Sequence, residues 1–440
     1  MHCLQLCNCT CLTEVTLNIF VLSSFIILAA TLYLNSKKTF IIYLKKCILP
    51  LIGILFIIAL IVYPKTAVES ASKGITLWLN IVFPSLFPFF VASQLLSKSG
   101  FINIFGIILE PIMRPLFNVP GCGSFALAMG IVSGYPVGAA ITTDLRKQEL
   151  ITRVEAERLL TFTNNSGPLF IMGAVAVGMF KLPKAGYLLY ISHIAACITV
   201  GLIFKYYKMQ KGEKVVPATK TTQRIKIELR RMRNSNINPW TLFGDCIKNS
   251  IFTILTVGGF IIFFSVLINI MITSGLIGRT AAMAPEFLSK IGLESKTIDG
   301  LLCGIFEITT GANLINLAPA DLKIKLCCAS LIIGWAGFSV HTQVMSIVSS
   351  SDIRVKPYII GKAIQGIISS IYTYIGYTLF SKSLMVEATA FSTTSIKYVN
   401  EWENIFKISL QNIVVASLVI ICVSISYIIF VSTILKKNLF

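Results

Sequence analysis

Two polar, glycine-containing strings stand where an apolar membrane segment would be expected. Ser133-Gly134-Tyr135-Pro136-Val137-Gly138 interrupts the run from Gly123 to Thr143, which has no charged residue and is long enough to span a bilayer. Asn164-Asn165-Ser166-Gly167-Pro168 opens the next apolar run. Ser133, Tyr135, Asn164, Asn165 and Ser166 supply neutral hydrogen-bonding groups, and Gly134, Gly138 and Gly167 let backbone approach closely. Pro136 and Pro168 each remove an amide donor from a helical ladder. Backbone groups freed in lipid cost several kcal/mol each, so such breaks persist only where protein or a water-filled cavity satisfies them. A half-helix starting at a break presents N–H groups suited to an anion. The combination is the usual pointer to a solute site in a transporter. The structural alternative is a packing kink glued by Asn and Ser.

The second half offers a counterpart, Glu307-Ile308-Thr309-Thr310-Gly311-Ala312-Asn313, in which Thr309, Thr310 and Asn313 are candidate solute contacts. Glu307 is an ionisable residue in an embedded segment, a candidate for coupling to a proton or cation. An ion pair or an interfacial position would explain it as well. His341, within Gly334 to Gln343, is a second candidate for coupling near neutral pH, with a hydrogen-bonded core histidine as the alternative. Arg146, Arg153 and Arg158 could draw an anion inward, although a solvated helix face accounts for them more simply. Thr152 and Glu155 have the spacing of a capping box. The sequence contains no phosphate-binding loop, HExxH string or nucleophile–base pair, so neither catalysis nor a cofactor is expected. Cys3, Cys7, Cys9 and Cys11 beside His2 match no zinc spacing, and no metal site is expected.

These residues have to be held by membrane helices. Of 440 residues 55% are hydrophobic and 13% charged, and the mean hydropathy is +0.80. Embedded segments are expected at roughly 17–34, 47–63, 75–96, 123–143, 164–181, 185–205, 248–272, 300–319, 326–350, 357–380 and 408–434, with 101–117 as an interfacial or re-entrant helix. The net charge of +19 reflects basic loops rather than a nucleic-acid surface, and the bilayer is the expected partner. The segment 205–233 carries ten Lys/Arg against Glu213 and Glu228, which places it in the cytoplasm. The run 17–34 lacks the basic flank and cleavage site of a signal peptide.

The halves repeat. Ser99-Gly100-Phe101-Ile102 recurs 175 residues on as Ser274-Gly275-Leu276-Ile277, and Gly130-Ile131 and Pro183 recur 174 residues on as Gly304-Ile305 and Pro357. Charge-based topology runs the two halves in opposite directions, as in many secondary transporters. The expected organisation is an extension with two transmembrane helices at 1–64, a first repeat at 65–206 and a basic linker at 207–247. An inverted second repeat at 248–380 and a loop with a final helix at 381–440 complete it.

The strings LEPIMRPLFNVPGCGS (109–124) and GIVSGYPVGAAITTDLRKQELITRVEAERLLTFTNNSGPLFIMGAVAVGMF (130–180) resemble the sporulation integral membrane protein YlbJ family of endospore formers. The resemblance covers about residues 65–380; residues 1–40 look like an addition to it. It implies an all-α polytopic membrane fold built from Gate-type ("nucleoside recognition") repeats with broken or re-entrant helices. It also implies a non-enzymatic role in spore formation, the movement of dipicolinate from the mother cell across the outer forespore membrane. Dipicolinate is a flat aromatic dianion, which Asn and Ser donors and the Tyr135 ring suit chemically. The residues alone would accept many small anions. A nucleoside or other small-solute carrier and a non-transporting membrane scaffold stay open, as do coupling ion, accompanying calcium and assembly into a homo-oligomer.

Overall fold

A computed structural model describes residues 37–209, 221–233, 238–283 and 293–385. The cysteine cluster, the runs 17–34 and 408–434 and most of the loop 381–407 lie outside the described residues.

Residues up to Glu69 form a unit of their own, comprising α1 (Lys37–Val62) and the first turns of α2 (Pro64–Leu77). From Pro50 on, α1 is apolar almost all round, with Leu51, Ile54, Leu55 and Ile61 exposed, as a helix solvated by hydrocarbon would be.

The described residues from Ser70 onward form one compact unit. A π-helical turn (Trp78–Val82) leads into α3 (Phe83–Lys98), followed by α4 (Phe101–Phe117), α5 (Gly123–Val132), α6 (Val137–Lys147) and α7 (Arg153–Thr163). A longer π-helix (Leu169–Met179) then precedes α8 (Pro183–Phe204). After α9 (Thr221–Arg233) come α10 (Pro239–Thr273), α11 (Leu276–Ala282), α12 (Ser295–Phe306) and α13 (Ile308–Leu317). The last three are α14 (Leu322–Trp335), α15 (Gly337–Val348) and α16 (Lys356–Met385). The described residues contain no strand.

The elements from α3 to α8 and from α10 to α16 follow the same order. In each set a left-handed glycine joins the first two helices, Gly100 (φ 79°) and Gly275 (φ 74°). Two short helices then meet at a break, a third ends at a second break, and a long helix with proline in its first turn closes the set. Several apolar runs therefore do not form single helices. The run 123–143 divides between α5 and α6, 300–319 divides at Glu307, and 326–350 divides at Ala336 and Gly337, both at positive φ. The run 164–181 is π-helical rather than α-helical, and α10 starts at Pro239 rather than 248. Pro136 and Pro168 at the breaks, and the left-handed backbone at 336–337, end the i→i−4 ladder locally.

Three described helices are long and apolar enough to cross a membrane: 183–204, 239–273 and 322–348 taken through its break. The number reaches five if the bent pairs 50–62 with 64–80 and 86–98 with 101–117 each make one span. A small apolar cluster around Ile268, Ile277 and Cys303 belongs to the second half, and the two larger clusters of the core each draw on both halves of the chain. One joins Phe117, Leu159 and Phe162 to Val344 and Tyr358; the other joins Ile171 and Leu189 to Ile315, Leu326 and Ile332. The polarity of α16 is inside-out: Ile360, Ile367, Ile371 and Tyr374 are exposed, whereas Tyr358, Lys362, Gln365, Ser369 and Thr373 are fully buried. Apolar outside and polar inside is the pattern of a helix whose solvent is lipid.

Candidate functional site

The two breaks of the first half cross in backbone contact. A Cβ on Gly134 (φ 87°) would lie 2.7 Å from Gly167 N, and one on Gly167 would lie 3.0 Å from Ser133 O. Gly130 and Gly138, on the helices either side of the first break, both press on the same carbonyl, Thr163 O. The second half repeats the contact, since a Cβ on Gly337 would sit 3.0 Å from Phe306 O, beside the break at Glu307. Close approach is what these glycines provide.

The string Asn164-Asn165-Ser166 is fully buried and faces α16 and α8. Asn164 Nδ2 donates to Tyr358 Oη at 3.0 Å, and the same hydroxyl lies 3.1 Å from His341 Nδ1. Lys362 Nζ donates to Asn164 O at 3.0 Å and to Gln365 Oε1 at 2.7 Å. Gln365 Nε2 in turn donates to Asn165 Oδ1 at 2.9 Å, while Asn165 Nδ2 donates to Phe162 O at 2.7 Å. The Ser166 amide donates to His193 Nε2 at 3.1 Å, which makes Nε2 an acceptor and puts the imidazole proton on Nδ1. The orphaned backbone of the break is thus satisfied by polar side chains 27 and 198 residues away, at Ser166 N and Asn164 O.

Several atoms in this buried network have no partner. They include Ser133 Oγ, Tyr135 Oη, Asn164 Oδ1, Ser166 Oγ, His193 Nδ1 and His341 Nε2. Tyr135 and Ser166 are neighbours whose hydroxyls do not meet hydrogen-bond geometry. A buried polar atom without a protein partner costs about 1–3 kcal/mol, so a concentration of them points to a functional role.

The expected residues from the second half divide. His341 joins the network, its ring edge-on to Trp335 at 4.3 Å and to Tyr358 at 5.3 Å between centroids. Glu307 instead caps α13: Oε1 accepts from the Thr309 amide at 2.7 Å and Oε2 from the Thr310 amide at 2.8 Å. Those amides are therefore not free for an anion, because the chain's own carboxylate already occupies that helix start. Asn313 is exposed. The three arginines are structural. Arg146 pairs bidentately with Asp352 at 2.9 and 3.0 Å, Arg153 pairs with Glu157 at 3.0 Å, and buried Arg158 donates to Tyr207 O and Asn118 O. Glu155 forms the expected capping box with Thr152 and also bonds Arg114, which Glu110 shares. Among the described residues no cluster of three or more His, Cys, Asp or Glu could hold a metal.

Sequence reasoning missed His193, Tyr358, Lys362 and Gln365. The signal was present: polar residues at 358, 362, 365, 369 and 373 recur at helical spacing along one face of an apolar helix.

The open clefts lie away from this network. One of about 460 Å³ is lined by Gln94, Lys98, Asp144, Lys147, Asn249 and Phe252. A second of about 280 Å³ shares Gln94, Asp144 and Lys147 and reaches Gln343 and Ser346. Burial pushes the Asp144 carboxyl above its ordinary value, and Lys147 and Lys98 oppose that. Both clefts touch α6, and the second also runs along α15; these are helices that leave the breaks.

Two comparisons bear on what such a site belongs to. The Gate family, described as "Nucleoside recognition", matches residues 79–204, which contain both first-half breaks. The sporulation integral membrane protein YlbJ of Bacillus subtilis (strain 168) is 39% identical over 325 residues, 72% of this chain and 79% of that protein. The chain belongs to the YlbJ family. No solved structure matches it. Family membership, a Gate domain and apolar helices long enough to cross a membrane make it an all-α polytopic integral membrane protein of a sporulation family.

Proposed function

We propose that this protein is a non-enzymatic transporter acting in sporulation, and that its solute is dipicolinate, carried from the mother cell across the outer forespore membrane. One observation carries the reading: two crossed helix breaks, embedded between the halves of the chain, hold a fully buried polar network with unpartnered atoms. Lipid-embedded structure retains such a network where it has solute to handle. The matching order of elements in the two halves fits inverted repeats that rock about a central site. Because Asn164, Asn165, Ser166, Lys362 and Gln365 have no solvent access, this conformation is an occluded one, and the polar cleft lined by α6 and α15 is the route by which it opens.

The test is the distribution of dipicolinate in a deletion strain during sporulation. Accumulation in the mother cell with depletion in the spore is expected; a spore of ordinary dipicolinate content sinks the proposal. The family description "Nucleoside recognition" favours a second reading, a nucleoside carrier. Competition in vesicle uptake separates the two, since unlabelled nucleoside should leave dipicolinate uptake unchanged.

A further inference from the structure

We propose that Lys362 is the anion-recognising charge of this site, and that its ammonium holds a carboxylate of the transported solute. The inference rests on the transporter reading above and gives it a charge basis. Lys362 has no exposed surface, and its two hydrogen-bond partners are neutral oxygens, a backbone carbonyl and a side-chain amide. No described carboxylate lies within 4 Å of it, whereas Arg114, Arg146, Arg153 and Lys208 all have one. An ammonium has three protons to donate, and only two have acceptors here. A buried ammonium held by neutral dipoles alone is poorly compensated, and a carboxylate beside it would supply the missing counter-charge.

The surroundings suit an aromatic carboxylate. Both histidines join Lys362 through its own partners: His193 Nε2 lies 3.5 Å from Gln365 Nε2, and His341 Nδ1 lies 3.1 Å from the Tyr358 hydroxyl that Asn164 also bonds. Their outward nitrogens, His193 Nδ1 and His341 Nε2, are among the unpartnered atoms, as are the Ser166 and Tyr135 hydroxyls and Asn164 Oδ1. Apart from the Asn164 oxygen, which only accepts, these groups can each donate to a carboxylate oxygen, and the His341 and Tyr358 rings meet edge-on at 5.3 Å between centroids. A bracing role, in which Lys362 only ties α16 to the break at Asn164, would explain its present bonds. It would not explain a preference for charge in the ligand.

Charge preference is therefore the readout. Binding of pyridine-2,6-dicarboxylate and of its neutral diamide is measured by calorimetry on the purified full chain. Uptake of the dicarboxylate is measured separately in phosphatidylethanolamine–phosphatidylglycerol vesicles. The wild type should prefer the dianion to the diamide by at least about tenfold, the range of one charge-assisted hydrogen bond. Lys362→Met should abolish that preference and leave diamide binding within a few-fold, and Lys362→Arg should keep it. Equal wild-type affinity for dianion and diamide overturns the assignment without any variant being needed. A well-folded Lys362→Met that keeps the preference, or loses both ligands equally, overturns it too. Selective binding without uptake refutes the transporter reading alone and leaves Lys362 as the recognising cation.

Discussion

Gly138→Ala is the sharpest test of the crossed-break geometry. A Cβ at this position would lie 2.0 Å from Thr163 O, a distance at which something must shift. The clashing atom is backbone, and it cannot simply retreat, because a Cβ on Gly130 across the same break would meet it at 1.8 Å. The oxygen is clasped from both sides, so about 1 Å of separation has to come from moving α5 or α6 off α7. Overpacking of this kind costs about 3 kcal/mol, roughly a hundredfold in the ratio of folded to unfolded protein. Gly173→Ala is the matched control, since nothing stands within 4 Å of its added methyl. Thermal midpoints of detergent-solubilised protein, followed by fluorescence-detected size exclusion, would compare the three. Gly138→Ala should fall well below the wild type while Gly173→Ala matches or exceeds it. Coincident midpoints for Gly138→Ala and wild type would refute the crossing itself.

Other expectations are as concrete. Glu307→Ala should destabilise by about 1 kcal/mol, the usual worth of an N-cap, with Glu307→Gln losing less, as read from the same thermal midpoints; if Gln preserves stability and stops uptake, the carboxylate couples as well as caps. Thr152→Ala should cost about 1 kcal/mol through the loss of the capping box on α7, seen as a lower midpoint with dicarboxylate affinity unchanged. The Arg146 guanidinium holds the Asp352 carboxyl below its ordinary value, so this pair contributes above that value, near pH 3.9, and its contribution is lost as pH falls through the depressed one. Both partners are partly exposed, which limits the effect to about 0.5 kcal/mol. The midpoint gap between wild type and D352N should therefore be flat above about pH 5 and close toward pH 3; a gap that widens on acidification contradicts the sign.

Half of the site was legible in the sequence because its signal is local. Ser133 to Gly138 and Asn164 to Pro168 violate helix rules within a few residues, and the chain breaks at both places. The 174-residue offset pointed to 307–313 as a second-half counterpart, and the division of 300–319 at Glu307 is what the structure adds. The partners of those breaks were not legible. Gln365 meets Asn165 across 200 residues and Lys362 meets Asn164 across 198, and no local rule pairs them. Glu307 shows the converse limit: an embedded acid was found, but its capping role depends on the backbone turn that places it 2.7 Å from the Thr309 amide.

The buried stripe on α16 also bears on how the protein is made. A lysine within a lone membrane helix is costly to insert, and Lys362 is accompanied by Gln365, Ser369 and Thr373 on the same side. Among the described residues, the acceptors and donors that relieve Lys362 and Gln365 belong to the break after α7, to α8 and to one another. These earlier segments emerge from the ribosome well before α16 does. The first half thus acts as a template that receives α16 into the bilayer, and the C-terminal half made alone should be retained poorly by the membrane and degraded. Co-expression with the N-terminal half as a separate chain should restore it.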